Sequence, residues 1–156
     1  MSPPTTTDPS TQKTYTFSCH CTLIRFSVLL PTSDSNLNAS KCNCSICLKS
    51  GRISISANKE KDFTLLSPSS MEEVPKYQFG QRRQNHCFCN VCGVHCFAFG
   101  KVEWEGQSLD LFSFNVLTVD DGQGLDLREL KLRYWDGKGD GYTSGPRGSP
   151  AEGGVW

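Results

Sequence analysis

Residues 87–97 read CFCNVCGVHCF, and residues 17–28 read FSCHCTLIRFSV. How these two stretches combine decides the fold. Cys89 and Cys92 form a C-x-x-C followed by Gly93, the kind of turn in which two thiolates share one tetrahedral metal ion. Cys19 and Cys21 lie in a stretch that alternates like a strand, where residues i and i+2 project from one face. Both sulfurs are therefore expected on one side, with His20 pointing away. Two such pairs supply four thiolates, enough to close a structural zinc site. That site would staple the first strand to a segment 70 residues further on, and its binding energy would become folding energy.

A third cluster, KCNCSICLKSG at residues 41–51, packs Cys42, Cys44 and Cys47 into six positions. Three protein ligands with an open fourth position are the pattern of a catalytic zinc. Three thiolates leave the ion with a net charge of −1, a soft site that favours a sulfur ligand and keeps a substrate thiol deprotonated. The alternative is a second structural site, closed by Cys87, Cys96, His86 or His95. Cys87 and Cys96 are otherwise read as small buried hydrophobes. Lys49, Arg52, Arg82 and Arg83 are candidates to receive substrate carboxylates, set against the ordinary reading of solvated charges. Trp104, Trp135 and the phenylalanines are expected in the core.

The chain of 156 residues carries nine cysteines. An odd count, tight clustering and a polar, proline-rich start without an apolar signal core argue for metal binding over disulfides. Sixteen basic and sixteen acidic residues cancel, so no electrostatic footprint for nucleic acid is present. No window reaches the roughly 20 apolar residues of a membrane span. A cytoplasmic protein with a small-molecule substrate, no nucleic acid partner and no membrane partner is expected.

The pattern divides the chain into a disordered arm at residues 1–14, a domain at 15–135 and a Gly-rich flexible tail at 136–156. Strand character runs through YTFSCHCTLIRFSVLL, RISISA, DFTLLS, KYQFG, CFAFGKVEW and LFSFNVLTV. DSNLNAS reads as a turn-rich loop, and LDLRELKLRYW as either a short helix or strand. An all-β or β-rich domain follows.

The three cysteine motifs together, with FNVLTVDDGQGLDL after them, resemble the glutathione-dependent formaldehyde-activating family, also called the CENP-V/GFA domain. The resemblance runs from about Phe17 to Trp135. It implies an Mss4-like, zinc-stapled fold of small antiparallel sheets with two zinc ions per chain. By the same likeness Cys19, Cys21, Cys89 and Cys92 match the structural ligands, and Cys42, Cys44 and Cys47 the catalytic ones. The implied activity is a carbon–sulfur lyase reaction that joins formaldehyde and glutathione reversibly as S-hydroxymethylglutathione. Related expectations are a lyase or isomerase that takes another metabolite without glutathione, and a non-catalytic zinc module that binds glutathione or a protein. Thr22 departs from the family pattern, which usually carries glycine there.

Overall fold

The computed structural model describes residues 11–32 and 37–154. Ten strands and one short helix follow in the order β1 (Gln12–Ser18), β2 (Arg25–Pro31), β3 (Asn38–Cys42), α1 (Ser45–Ser50), β4 (Ser54–Ser56), β5 (Phe63–Ser67), β6 (Lys76–Tyr77), β7 (Gln84–Phe88), β8 (His95–Trp104), β9 (Gln107–Asn115) and β10 (Lys131–Trp135). The expected β-rich class is the observed one. Strands β1, β2 and β5 form a three-stranded antiparallel sheet. The other seven form a sheet ordered β10-β3-β4-β9-β8-β7-β6. It is antiparallel except where β10 runs parallel to β3.

Alternation explains the first sheet. Tyr15 and Phe17 on β1, and Phe26, Val28 and Leu30 on β2, are buried while their neighbours are not. They meet Phe97 of β8 and Phe112 and Phe114 of β9 across the gap between sheets. Phe17 stacks on Phe26 at 5.2 Å, and Phe97 meets Phe26 edge-on at 5.2 Å. Phe17 meets Phe114 edge-on at 4.9 Å. Each such pair adds roughly 0.5–1.5 kcal/mol beyond the area it buries. Trp104 does not join this core. It is 40% exposed at the tip of the β8–β9 hairpin, where Glu105 and Gly106 both take positive φ, as a two-residue turn between twisted strands requires.

Some elements differ from the sequence expectation. Residues 38–40, expected in a loop, open β3. NASKC has little β-propensity, and its strand conformation comes from pairing with β10 on one side and β4 on the other. Residues 45–50, with no helix expected, form α1, which ends at Gly51 with φ +61°. In LDLRELKLRYW, Leu127–Glu129 is a 3-10 turn and Lys131–Trp135 the strand β10.

The expected boundary at residue 14 falls inside β1, and residues 1–10 lie outside the described residues. Residues 136–154 fold back onto the domain: Arg147 pairs with the Tyr134 backbone in both directions, and Ala151 is buried. Among the described residues no helix is long and apolar enough to cross a membrane.

Gly100 marks a close approach between β7 and β8. A Cβ there would sit 2.1 Å from the Arg83 carbonyl oxygen and 2.8 Å from Gln84 Cα. Both neighbours are backbone and cannot swing aside. Gly100→Ala is expected to cost more than about 2 kcal/mol, read as a lowered denaturation midpoint; an unchanged midpoint would refute this packing.

Candidate metal centres

The first cysteine pair does not lie on a strand. β1 ends at Ser18, and residues 19–24 form the tight turn into β2. Cys19 N–H donates to Ile24 O at 3.0 Å, Thr22 N–H donates to Cys19 O at 2.9 Å, and Ile24 N–H donates to Cys19 Sγ at 3.3 Å. The turn from β7 to β8 repeats this plan. Cys89 N–H donates to Val94 O at 3.0 Å, Gly93 N–H donates to Cys89 O at 2.8 Å, and Val91 N–H donates to Cys89 Sγ at 3.4 Å. The turn, not strand alternation, gathers each pair of sulfurs, and backbone N–H groups aimed at sulfur suit thiolates.

The two turns belong to different sheets and meet sulfur to sulfur. Cys19 and Cys21 Sγ are 3.7 Å apart, Cys21 and Cys89 Sγ 3.5 Å, and all four Sγ atoms lie within 4.8 Å of one another. Four thiolates at the usual zinc–sulfur distance stand about 3.8 Å apart, so the donor set fits a tetrahedral ion. Burial, more than the neighbouring thiols, pushes the Cys19 thiol up to about 12, while the Val94 N–H leads in pulling Cys92 down to about 6.

Cys42, Cys44 and Cys47 come together where β3 runs into α1. Cys44 is the residue that caps α1 yet makes no side-chain capping bond, which leaves its sulfur for a ligand role. Its N–H donates to Cys42 Sγ at 3.3 Å, and the three sulfurs lie within 4.8 Å of one another. Hydrogen bonds from Cys42 and then Cys47 pull the Cys44 thiol down to about 2. The same contacts, with burial, push Cys47 up. A thiolate flanked by two protons is a set of positions that a cation can take over.

None of Cys87, Cys96, His86 or His95 brings a ligand atom within 4.8 Å of all three sulfurs. Cys87 and Cys96 are fully buried in the core, where burial raises both thiols. Two separate clusters, of four and three cysteines, could each hold a metal ion.

A cavity of about 520 Å³ opens beside the three-cysteine cluster, lined by Cys44, Cys47, Arg52, Phe79, His86 and Tyr142 among others. His86 stacks on Phe79 at 5.4 Å and lies 5.8 Å from the His95 ring. Burial first, then the Arg52 charge, lowers both imidazoles, His95 to about 3, so both are neutral near pH 7. Asn115 anchors this wall: Nδ2 donates to His95 O at 2.9 Å, and Oδ1 accepts from Ile53 N–H at 3.4 Å and Leu117 N–H at 3.3 Å. His20 sits exposed on the β1–β2 turn.

Tyr142 and Asn43 were not singled out by the sequence reading. Asn43, between Cys42 and Cys44, donates from Nδ2 to Asp136 Oδ1 at 2.7 Å and to Glu152 O at 3.1 Å, and accepts from Lys138 N–H at 2.9 Å. These bonds strap residues 136–154 across the site and set Tyr142 Oη 3.6 Å from Cys42 Sγ. The dipeptide spacing of Asn43 within C-N-C was the available signal, but its partners lie 93 or more residues away.

No family model matches the chain. Among solved structures it is similar to the crystal structure of a Rhodobacter sphaeroides protein determined by structural genomics. The two share 26% identity with a TM-score of 0.55, over 75% of this chain and 98% of that one.

Two predictions follow from the clusters. Zinc-loaded protein is expected to hold two ions per chain, falling to one in Cys47→Ser; one ion in the parent would sink the second site. Thr22 adopts φ +64°, a left-handed conformation that strains a β-branched residue by roughly 1–2 kcal/mol. Glycine relieves the strain but adds unfolded-state freedom, so Thr22→Gly is expected to stabilise by about 0.5–1 kcal/mol. A lower denaturation midpoint would contradict that account.

Proposed function

We propose that the chain belongs to the glutathione-dependent formaldehyde-activating family and acts as a zinc-dependent carbon–sulfur lyase in the cytoplasm. In this reading Cys19, Cys21, Cys89 and Cys92 hold a structural zinc, and Cys42, Cys44 and Cys47 hold a catalytic one. The observation that carries it is the three-sulfur cluster, which has no fourth protein ligand among the described residues and opens on a cavity of small-molecule size. The two sheets joined at a four-sulfur site agree with the Mss4-like architecture that the cysteine motifs imply.

When bound, zinc supplies Lewis-acid stabilisation to a substrate sulfur held as thiolate. The chain's own residues supply the rest. Cys42 Sγ donates to Tyr142 Oη at 3.6 Å; with Cys42 as a thiolate the phenol O–H would be the donor and spread the negative charge of the set. Phe79 and Tyr142 form aromatic walls of the same cavity. His86, neutral and lining the same cavity, would accept the substrate's thiol proton in this reading. In the joining direction a carbon–sulfur bond forms between the thiol and the formaldehyde carbon. The carbonyl π bond breaks, and the thiol proton ends on the former carbonyl oxygen. Cleavage reverses each change.

The test is exchange NMR of formaldehyde, glutathione and their adduct with zinc-loaded protein. The parent chain is expected to accelerate exchange over the uncatalysed rate. Cys44→Ala is expected to remove that acceleration while keeping the four-cysteine zinc and the fold. Acceleration retained in Cys44→Ala excludes a catalytic zinc at this cluster. Binding of glutathione without acceleration in the parent would make the chain a non-catalytic module.

A further inference from the structure

Four basic residues stood out in the sequence near the cysteine motifs, and the structure separates them. Lys49 and Arg82 are exposed. Arg83 lines the cavity beside the three-cysteine cluster but pairs with Glu103 at 3.4 Å, and Lys101 on the same wall pairs with Asp110 at 3.1 Å. Arg52 differs from all of these. It lines both the 520 Å³ cavity and a second one of about 330 Å³ on the other side of Cys47. Among the described residues it forms no ion pair, and its Nε and Nη1 are buried without a hydrogen-bond partner in the protein.

A buried N–H donor left unmade costs about 1–3 kcal/mol, more on a charged group. The thiolate cluster does not remove that cost. Its negative charge offsets the guanidinium's positive charge through space but fills none of the unpartnered donors. His86 and His95, the other ring groups beside Arg52, are each more than nine-tenths buried. Nδ1 of His86 and both ring nitrogens of His95 also lack partners. Arg52 and His86, two residues with unpartnered polar atoms, therefore line one cavity, while His95 lies behind His86 and does not line it. A cavity with surplus N–H donors, a fixed positive charge and an aromatic wall selects for an anion with planar oxygens.

The geometry points to Arg52 as a carboxylate-binding subsite that holds the substrate by an acidic group while its sulfur faces Cys42, Cys44 and Cys47. The carboxylate accepts from Arg52. Arg52 thus sets specificity: small acids bearing a thiol are taken in preference to neutral thiols of the same size. Only the placement of sulfur rests on the function proposed above. The carboxylate subsite does not.

Two thiols of matched size, 3-mercaptopropionate and its neutral amide 3-mercaptopropionamide, separate these claims by NMR titration of zinc-loaded protein. A charge-assisted hydrogen bond corresponds to roughly a ten- to hundredfold preference, and that preference for the acid is expected in the parent. Arg52→Gln is expected to abolish it. Equal affinities in the parent overturn the subsite and leave the thiol reading standing. Propionate, which has no sulfur, provides the second readout in unsubstituted protein. It is expected to shift the Arg52 Nε–H resonance saturably where 1-propanol does not. If neither thiol binds but propionate does, the subsite stands and the proposed thiol chemistry fails. No saturable shift with propionate overturns the subsite whatever the thiols do.

Discussion

Everything else in this molecule hangs on the meeting of two turns. The β1–β2 turn at residues 19–24 belongs to the three-stranded sheet, and the β7–β8 turn at residues 89–94 belongs to the seven-stranded one. Their sulfurs approach to 3.5 Å between Cys21 and Cys89. Behind them the phenylalanine cluster of Phe17, Phe26, Phe97 and Phe114 fills the gap between sheets. Holding the turns together sets the angle and spacing at which those rings interlock. Conversely, the interlocked rings keep four mutually repelling sulfurs within reach of one cation.

The second cluster depends on a different constraint. Cys42, Cys44 and Cys47 are gathered locally, by a strand end running into a helix of six residues. What makes the place a site is the surrounding wall. Arg52 and His86 arrive from β4's approach and from β7, and Tyr142 arrives from the segment that Asn43 straps down. The wall is held by buried amides: Asn115 ties β9 to His95 and Ile53, and Asn43 ties residues 136–154 to the cysteine loop. Buried amides with their hydrogen bonds made are costly to disturb, so the cavity's chemistry is built on rigid supports while Arg52 stays without an ion pair among the described residues.

Much of this was legible in the sequence, for identifiable reasons. Period-2 alternation in YTFSCHCTLIRFSVLL reports a sheet with one buried face, but the stretch that reads as one strand is two, β1 and β2, joined by the cysteine turn. The same alternation misplaced Cys19 and Cys21, because a C-x-C can close a turn as well as sit on a strand. β3 was missed because NASKC has no pattern of its own and becomes a strand by pairing with β10 and β4. Trp104 was misassigned because large apolar residues at a hairpin tip look no different in sequence from core residues. The segment after Trp135 read as loose since glycine and serine dominate it. Its order comes from Asn43 and from the Arg147 ion pairs with Asp136 and Asp140.

The sequence by itself determined the donors: cysteines two and three residues apart, which any compact turn can bring onto one small ion, and a β-rich class from local alternation. These are short-range properties, set by backbone geometry within a few residues. Only the tertiary structure decided that Cys19 and Cys21 face Cys89 and Cys92, that Cys87 and Cys96 stay in the core, and that Arg52 ends beside Cys47 without a partner. Those outcomes depend on chain segments tens of residues apart meeting in one place. Such meetings are settled by how two sheets pack, and no local spacing records them.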